Sequence, residues 1–173
     1  MEKITKIGFG GGCHWCTEAV FQSLRGVYKV EQGFIAQEDK DGSFSEAVIV
    51  SYNAEEIPLK VLIEVHLNTH KSTSAHSMRT KYRSAIYTFN ESMFKSTVSC
   101  LEELQSGFDQ KLITQVYSFK EFKHSKEEFH NYFYSNPEKP FCKTYIKPKL
   151  KLLLKEFAKH ADANKINMHH KLI

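Results

Sequence analysis

Residues 4–24 read ITKIGFGGGCHWCTEAVFQSL, and they carry the strongest structural signal of the chain. The apolar beginning predicts a β-strand. Apolar residues within positions 20–24 recur at helical spacing, so a helix is expected to begin near Cys13. Gly10–Gly12 allow the sharp turn between the two elements. A cysteine at a helix N-terminus is expected to have a lowered pKa, because free N–H groups and the helix dipole stabilise its thiolate.

Strand and helix patterns alternate along the rest of the chain, and no internal repeat or linker divides it. The order is close to βαββαβαα. It predicts an α/β (α+β) fold in which helices cover a single mixed sheet. The predicted elements are strands at 27–34, 44–52, 82–89 and 112–119, a turn at DKDGS (39–43), helices beginning at Pro58 and near Met93, a helix capped by Ser125 with Glu128, and a terminal helix.

The length of 173 residues suffices for one domain with a hydrophobic core. We expect a single domain over residues 1–159, ending in a helix at about 148–159, and a frayed tail over residues 160–173. The start has no apolar stretch of signal-peptide length, and no segment approaches the roughly 20 apolar residues that span a bilayer. We therefore expect a cytoplasmic protein that has neither a membrane nor a nucleic acid as partner.

The chain contains four cysteines, Cys13, Cys16, Cys100 and Cys142. In the cytoplasm, a close pair such as Cys13 and Cys16 is more often catalytic or metal-binding than a structural disulfide. A zinc site needs about four ligands, and the other two cysteines are isolated. His66 and His70 have helical spacing, but no HExxH motif is present, and we expect both to be solvated. A thiol–disulfide oxidoreductase that uses the CxxC pair stays open.

Five segments together resemble the A-type peptide methionine sulfoxide reductases. The first, GGGCHWCTEAVFQSLRGV (10–27), is similar to the active-site segment of that family. The other four follow in family order: SEAVIVSYN (45–53), IPLKVLIEVH (57–66), KYRSAIYTFN (81–90) and FHNYFYSNPEKPFC (129–142). The resemblance implies a ferredoxin-like core. It also implies reduction of the S epimer of methionine sulfoxide, free or in proteins.

The resemblance further implies a role for each matching residue. Cys13 corresponds to the nucleophile, and Trp15 to part of the pocket for the substrate methyl group. Glu46 corresponds to the residue that protonates the sulfoxide oxygen, and Tyr82 to one that hydrogen-bonds this oxygen. Cys142 corresponds to the resolving cysteine, which reduces the oxidised nucleophile.

Three positions can also be judged from the residues themselves. Glu46 shares a strand face with apolar and aromatic residues, where burial favours a protonated carboxyl that acts as a general acid; a strand-end glutamate reaching water is the alternative. His14 replaces the usual phenylalanine. It can hydrogen-bond the substrate, stabilise the Cys13 thiolate as an imidazolium, or form an aromatic wall of the substrate pocket. Cys16, one helical turn from Cys13, is the alternative resolving cysteine or a relay.

The expected reaction begins with attack of Cys13 on the sulfoxide sulfur and leaves a sulfenic acid on Cys13. A second thiol then forms a disulfide, which thioredoxin or a similar reductant opens. No metal or organic cofactor is needed for this chemistry, and we expect a monomer. The rival functions are general thiol–disulfide exchange by the CxxC pair and a non-catalytic protein-binding domain.

Overall fold

The computed structural model describes residues 3–38 and 42–169. Strands and helices follow one another in these ranges as β1 (Ile4–Gly10), α1 (His14–Gln22), β2 (Val27–Gln37), β3 (Phe44–Asn53), α2 (Leu59–Asn68), β4 (Ala85–Thr88), α3 (Glu91–Leu104), β5 (Gln115–His124), α4 (Tyr132–Ser135), α5 (Lys147–Glu156) and α6 (Ala163–His169). Shorter turns of 3₁₀ helix lie at Ser77–Thr80, Gln105–Gly107 and Glu127–Phe129, and a π-helical turn lies at Cys142–Ile146.

All five strands belong to one sheet. They lie side by side in the order β1, β3, β2, β5, β4, and β4 also pairs with β1, so the sheet closes into a barrel. The β4–β5 pair is parallel, whereas the other pairs are antiparallel. The predicted single mixed sheet is confirmed. Its closure was not predicted, because pairing between β1 and β4 leaves no mark in the sequence of either strand.

The two faces of β3 belong to different apolar clusters. Val48 and Val50 pack in the main core with residues of α1, α2 and α5. Ala47 and Ile49 belong to a smaller cluster with residues of β2 and β4. This alternation follows the two-residue period of a strand. Glu46 has the same parity as Val48 and Val50, so it lies on the face of β3 against which α1 packs.

Residues 160–169 are more ordered than the sequence suggests. Ala161 forms an isolated β-bridge with Leu24, and Ile166 of α6 is fully buried in the main core. The expected frayed tail is therefore wrong for residues 160–169, because burial of these apolar side chains stabilises the segment. Residues 170–173 lie outside the described ranges. Helix α5, which was predicted to be the terminal helix, ends at Glu156, three residues before the predicted end at 159, and α6 follows it.

The predicted capping box is also wrong. The Ser125 hydroxyl donates to the carbonyl oxygen and to the side-chain oxygen of Gln32, at 3.2 and 2.7 Å, so it tethers the chain to β2 instead of capping a helix. Glu128 lies in a single 3₁₀ turn. The predicted turn at 39–43 includes residues 39–41, which are outside the described ranges. Among the helices that the structure describes, none is long and apolar enough to cross a membrane.

Candidate active site

The glycine turn between β1 and α1 places Cys13 at the N-cap of α1. Gly11 has φ = 157°, and a Cβ built on it would lie 2.4 Å from the His70 ring, so this position needs a glycine. The carbonyl oxygen of Cys13 accepts the first backbone hydrogen bonds of α1, from the N–H groups of Cys16 and Thr17 at 3.1 and 3.2 Å. Cys13 therefore lies where the sequence placed it, at the positive end of a helix.

The thiol of Cys13 is poised to ionise. The Cys16 thiol donates a hydrogen bond to the Cys13 sulfur, and this contact is the largest cause of the lowered pKa of Cys13. The N–H groups of Trp15 and Cys16 act in the same direction, whereas burial and the charge of Glu46 oppose them. The same hydrogen bond, together with burial, strongly raises the pKa of Cys16. Of the two thiols, Cys13 is therefore the one that ionises first.

Five of the predicted site residues line one open pocket of about 520 Å³: Cys13, His14, Trp15, Glu46 and Tyr82. They come from α1, from β3 and from the loop before β4, and the closed sheet brings these segments together. The remaining wall is aromatic, and the rim is basic. The remaining residues that line the pocket are Phe34, Lys81, His124, Ser125, Lys126, Phe129 and Phe141.

Trp15 is the centre of an aromatic cluster on one side of this pocket. Its ring stacks on Tyr132 at 4.1 Å between centroids and 11° between planes. Phe129 and Phe141 flank it at 5.4 and 5.3 Å. A rigid apolar wall of this kind suits the methyl group of a sulfoxide substrate. None of these three partners was predicted from the sequence, although the aromatic-rich segment 129–141 was a signal for them.

Glu46 is buried but has polar partners on both oxygens. The N–H of His14 donates to Oε1 at 3.3 Å, and the ring nitrogen Nε2 of His14 lies 3.3 Å from the same oxygen. The ammonium of Lys81 lies 3.7 Å from Oε2. Burial of a carboxyl group favours its neutral form, whereas N–H donors and an ammonium favour the carboxylate. The apolar residues along β3 predicted the burial of Glu46, but they did not predict its polar partners.

The His14 ring is held between β2 and Glu46. Nδ1 lies 2.8 Å from the carbonyl oxygen of Gly33, and burial lowers the pKa of His14. Both ring nitrogens thus have partners other than Cys13. The idea that a His14 imidazolium stabilises the Cys13 thiolate is not supported, because the neutral ring faces the acid and Cys16 supplies the hydrogen bond to the thiolate.

The two candidate resolving cysteines lie outside the pocket lining. Cys16 is buried beneath Cys13, and Cys142 is fully buried at the start of the π-helical turn. The Cys142 thiol donates to the carbonyl oxygen of Asn136 at 3.7 Å. Cys16 has electrostatic interactions with both Cys13 and Cys142. Cys16 and Cys142 are both part of the main apolar core, and Cys13 packs against that core.

His66 and His70 are not solvated, in contrast to the expectation from sequence. Their rings stack at 4.2 Å behind the glycine turn. His66 Nε2 lies 2.7 Å from the carbonyl oxygen of Gly10, and His70 Nε2 lies 2.8 Å from the hydroxyl of Ser84. The two histidines are thus part of the scaffold that holds the turn before Cys13.

Comparison with known proteins agrees with this geometry. The profile of the family described as peptide methionine sulfoxide reductase matches residues 5–162. The peptide methionine sulfoxide reductase MsrA of Psychrobacter sp. (strain PRwf-1) is 35% identical over 169 residues, which cover 87% of this chain and 95% of the relative. The MsrA of Trichodesmium erythraeum (strain IMS101) is 31% identical over 173 residues, covering 91% and 98%.

Solved structures lead to the same family. The reduced form of Mxr1 from Saccharomyces cerevisiae has a TM-score of 0.71 and 25% identity, and the match covers 83% of this chain and 91% of that chain. Mxr1 in complex with Trx2 has a TM-score of 0.61 and 24% identity, covering 73% and 84%. With a family profile and close relatives that span nearly its whole length, the chain belongs to the peptide methionine sulfoxide reductase family.

Proposed function

We propose that this protein reduces the S epimer of methionine sulfoxide, free or in proteins, with Cys13 as the nucleophile. The observation that carries the proposal is the convergence of a thiol of lowered pKa, a buried carboxyl group and an aromatic wall in one pocket. A thiolate attacks the electrophilic sulfur, the carboxyl group supplies a proton to oxygen, and the wall holds the methyl group. General disulfide exchange needs neither Glu46 nor the wall.

The chemical step has a simple balance. The Cys13 thiolate attacks the sulfoxide sulfur while Glu46 transfers one proton to the sulfoxide oxygen, and Tyr82 hydrogen-bonds that oxygen. Methionine leaves with its sulfur reduced by two electrons, and Cys13 keeps the oxygen as a sulfenic acid. Lys81, at 3.7 Å from Glu46, favours the carboxylate that remains after the transfer.

Recycling of Cys13 proceeds through the thiols of Cys16 and Cys142. We propose that Cys16 attacks the sulfenic acid, which releases water and forms a Cys13–Cys16 disulfide. Cys142 then attacks the Cys16 sulfur, which frees Cys13 and moves the disulfide to Cys16–Cys142. The place of Cys16 and Cys142 in the same apolar core, against which Cys13 packs, supports this order. In this order Cys16 is the relay that reacts with the sulfenic acid, and Cys142, the resolving cysteine expected from sequence, takes over the disulfide that the reductant opens.

A thioredoxin-type protein is the proposed reductant, because the similar yeast protein Mxr1 forms a complex with Trx2. We propose that the protein works in the cytoplasm, where thiols stay reduced. We further propose that it acts as a monomer, since one chain supplies every pocket residue named above.

Turnover of a peptide that contains methionine (S)-sulfoxide, with dithiothreitol as reductant, tests the function. The wild type should release the reduced peptide, and the R epimer should not react, because different enzymes handle the two epimers. Cys13→Ser should abolish the activity, since a hydroxyl is a far weaker nucleophile than a thiolate. Wild-type turnover in Cys13→Ser would contradict the assignment.

The same preparations discriminate the rival functions. Reduction of insulin disulfides by the wild type, without reduction of the sulfoxide peptide, would instead support a thiol–disulfide oxidoreductase. The hydrogen-bonded Cys13–Cys16 pair is the observation that keeps this rival in view. Absence of both activities from a folded wild type would leave the protein-binding role.

A further inference from the structure

The His14 ring has a defined neighbour on each nitrogen. Nδ1 lies 2.8 Å from the carbonyl oxygen of Gly33. A carbonyl oxygen only accepts hydrogen bonds, so Nδ1 carries a hydrogen. In the neutral ring, Nε2 is then unprotonated, and it lies 3.3 Å from Oε1 of Glu46. The backbone of β2 thereby selects the tautomer that presents a lone pair to the acid.

The pair is buried, and this decides its protonation. The side chains of His14 and Glu46 are 7% and 8% exposed. Desolvation lowers the pKa of His14, and the hydrogen bond to Gly33 and the charge of Glu46 oppose it to a smaller extent. The lone pair of Nε2 and that of a carboxylate oxygen repel each other at this separation in a medium of low dielectric. A single proton between the two atoms removes the repulsion.

We propose that His14 and Glu46 form a dyad that holds one proton between Nε2 and Oε1, and that this proton is transferred to the sulfoxide oxygen. The inference rests on the proposed function, in which Glu46 is the acid. His14 acts through Glu46 and is therefore a positioning residue. It holds the proton on the side of the pocket that faces the substrate.

Several other charged or titratable groups face the dyad and influence its titration. Lys81 lies 3.7 Å from the second oxygen of Glu46 and favours proton loss. A thiolate at Cys13 disfavours proton loss, because two negative charges would then share the site. Tyr82, His124 and Lys126 line the same pocket, and His130 repels a charged His14.

The proton balance closes over one catalytic cycle. The dyad gives one proton to the sulfoxide oxygen, and that hydrogen stays on the sulfenic acid. Formation of the disulfide releases water without a net change in protons. When the Cys142 thiol attacks Cys16, Cys13 leaves as a thiolate and the proton of Cys142 is released, whereas the later opening of Cys16–Cys142 by a dithiol reductant is neutral in protons. The proton released from Cys142 reloads the dyad.

Nitrogen-15 NMR of the wild-type histidine rings tests the dyad without substrate. At pH 7, we expect Nδ1 of His14 to be protonated and Nε2 to show the shift of an unprotonated, hydrogen-bonded nitrogen. The Nε2 signal should move in Glu46→Gln. A proton on Nε2 with none on Nδ1, or an Nε2 shift that Glu46→Gln leaves unchanged, would overturn the proposal.

The dependence of the single-turnover rate on pH gives a second, independent readout. His14→Phe removes one of the two atoms that hold the shared proton, so it should move the basic limb of the profile down by about one pH unit, a tenfold loss of the proton-donating form there. His160→Gln, which removes a histidine far from the pocket, should keep the wild-type profile.

The two failures can be told apart. A wild type that does not reduce the sulfoxide contradicts the proposed function, while the NMR result still decides whether the dyad exists. A wild type that is active, with a His14→Phe profile identical to its own, overturns the dyad and leaves His14 as an apolar wall.

Discussion

The hydrogen bond between two thiols is the feature of single residues with the clearest consequence. Because the Cys16 thiol is the main cause of the lowered pKa of Cys13, Cys16→Ala should raise that pKa and slow alkylation of Cys13 at neutral pH. We expect a loss on the order of 10-fold, the value for one pKa unit. Cys16→Ser keeps an O–H donor and is the matched control.

The measurement is the rate of iodoacetamide modification of Cys13 against pH, with labelling located by peptide mapping. Cys16→Ser should stay close to the wild type. Equal midpoints for the wild type and Cys16→Ala would show that the helix N-terminus alone sets the ionisation of Cys13.

The residues that sequence could identify are those with a local signature. A glycine turn followed by a cysteine marks Cys13, and an acid among apolar strand residues marks Glu46. The partners of these residues could not be predicted. Lys81 and Gly33 are distant from Glu46 and His14 in sequence, and their approach depends on the pairing of strands. The sequence therefore predicted that these residues lie in one pocket, but it did not predict which groups contact them there.

Among the elements, α1 and α4 are joined by a buried carboxylate. Glu18 is 1% exposed and accepts hydrogen bonds from the N–H groups of Asn131 and Tyr132 at 3.0 Å each. Gln32 donates to it as well, at 3.0 Å. Asn131 has φ = 56°, which is uncommon for a residue with a side chain. Glu18 therefore holds the segment that stacks on Trp15.

Glu18→Gln should loosen this wall, because the new amide N–H₂ group would replace one carboxylate oxygen. It would then face N–H groups that now donate to that oxygen. We expect a loss of about 1–3 kcal/mol in the free energy of unfolding, the range for buried groups left unsatisfied. Trp15 is the single tryptophan, so its fluorescence reports on the wall directly. Glu128→Gln, which changes an exposed residue three positions before Asn131, is the control. Unchanged unfolding and emission in Glu18→Gln would contradict the role.

Cys142, at the start of the π-helical turn, is expected to take part in the recycling step. Cys142→Ser should still release about one equivalent of methionine per enzyme, yet fail to turn over with thioredoxin. Dithiothreitol should restore turnover, because a small thiol reaches Cys13 directly. Cys100→Ser should behave as wild type. Normal thioredoxin-driven turnover in Cys142→Ser, with only a Cys13–Cys16 bond in the oxidised protein, would move the resolving role to Cys16.

Elements that local patterns determine were predicted from the sequence, whereas those that long-range contacts determine were not. β1 and α1 were predicted well, because apolar period and glycine punctuation agree there. The Ser125 cap and the frayed tail were wrong for the same physical reason. Ser125 bonds to β2, and Ile166 packs in the main core, so long-range contacts decide both. A local pattern carries no record of such contacts.

At the scale of the whole molecule, the buried His66–His70 pair couples protons to stability. Burial lowers the pKa of His66 well below its usual value and that of His70 to about 4. The unfolded chain binds a proton near pH 6.5, where the folded chain does not. The folded state therefore has its full stability with respect to this pair above about pH 6.5. The free energy of unfolding falls as the pH drops towards 4, because protons then bind the unfolded chain in preference.

We expect the free energy of unfolding, measured with urea, to decrease by up to about 1.4 kcal/mol per pH unit for each histidine between pH 6.5 and 4.5. The double variant His66→Gln, His70→Gln should flatten this slope, because glutamine does not titrate. His76→Gln, which removes a half-buried histidine outside this pair, should keep most of the wild-type slope. The scaffold behind Cys13 should loosen over the same range, so alkylation of Cys13 should lose its site selectivity as the protein destabilises. An equally steep slope in the double variant would show that other groups, such as the carboxylates, govern the acid sensitivity.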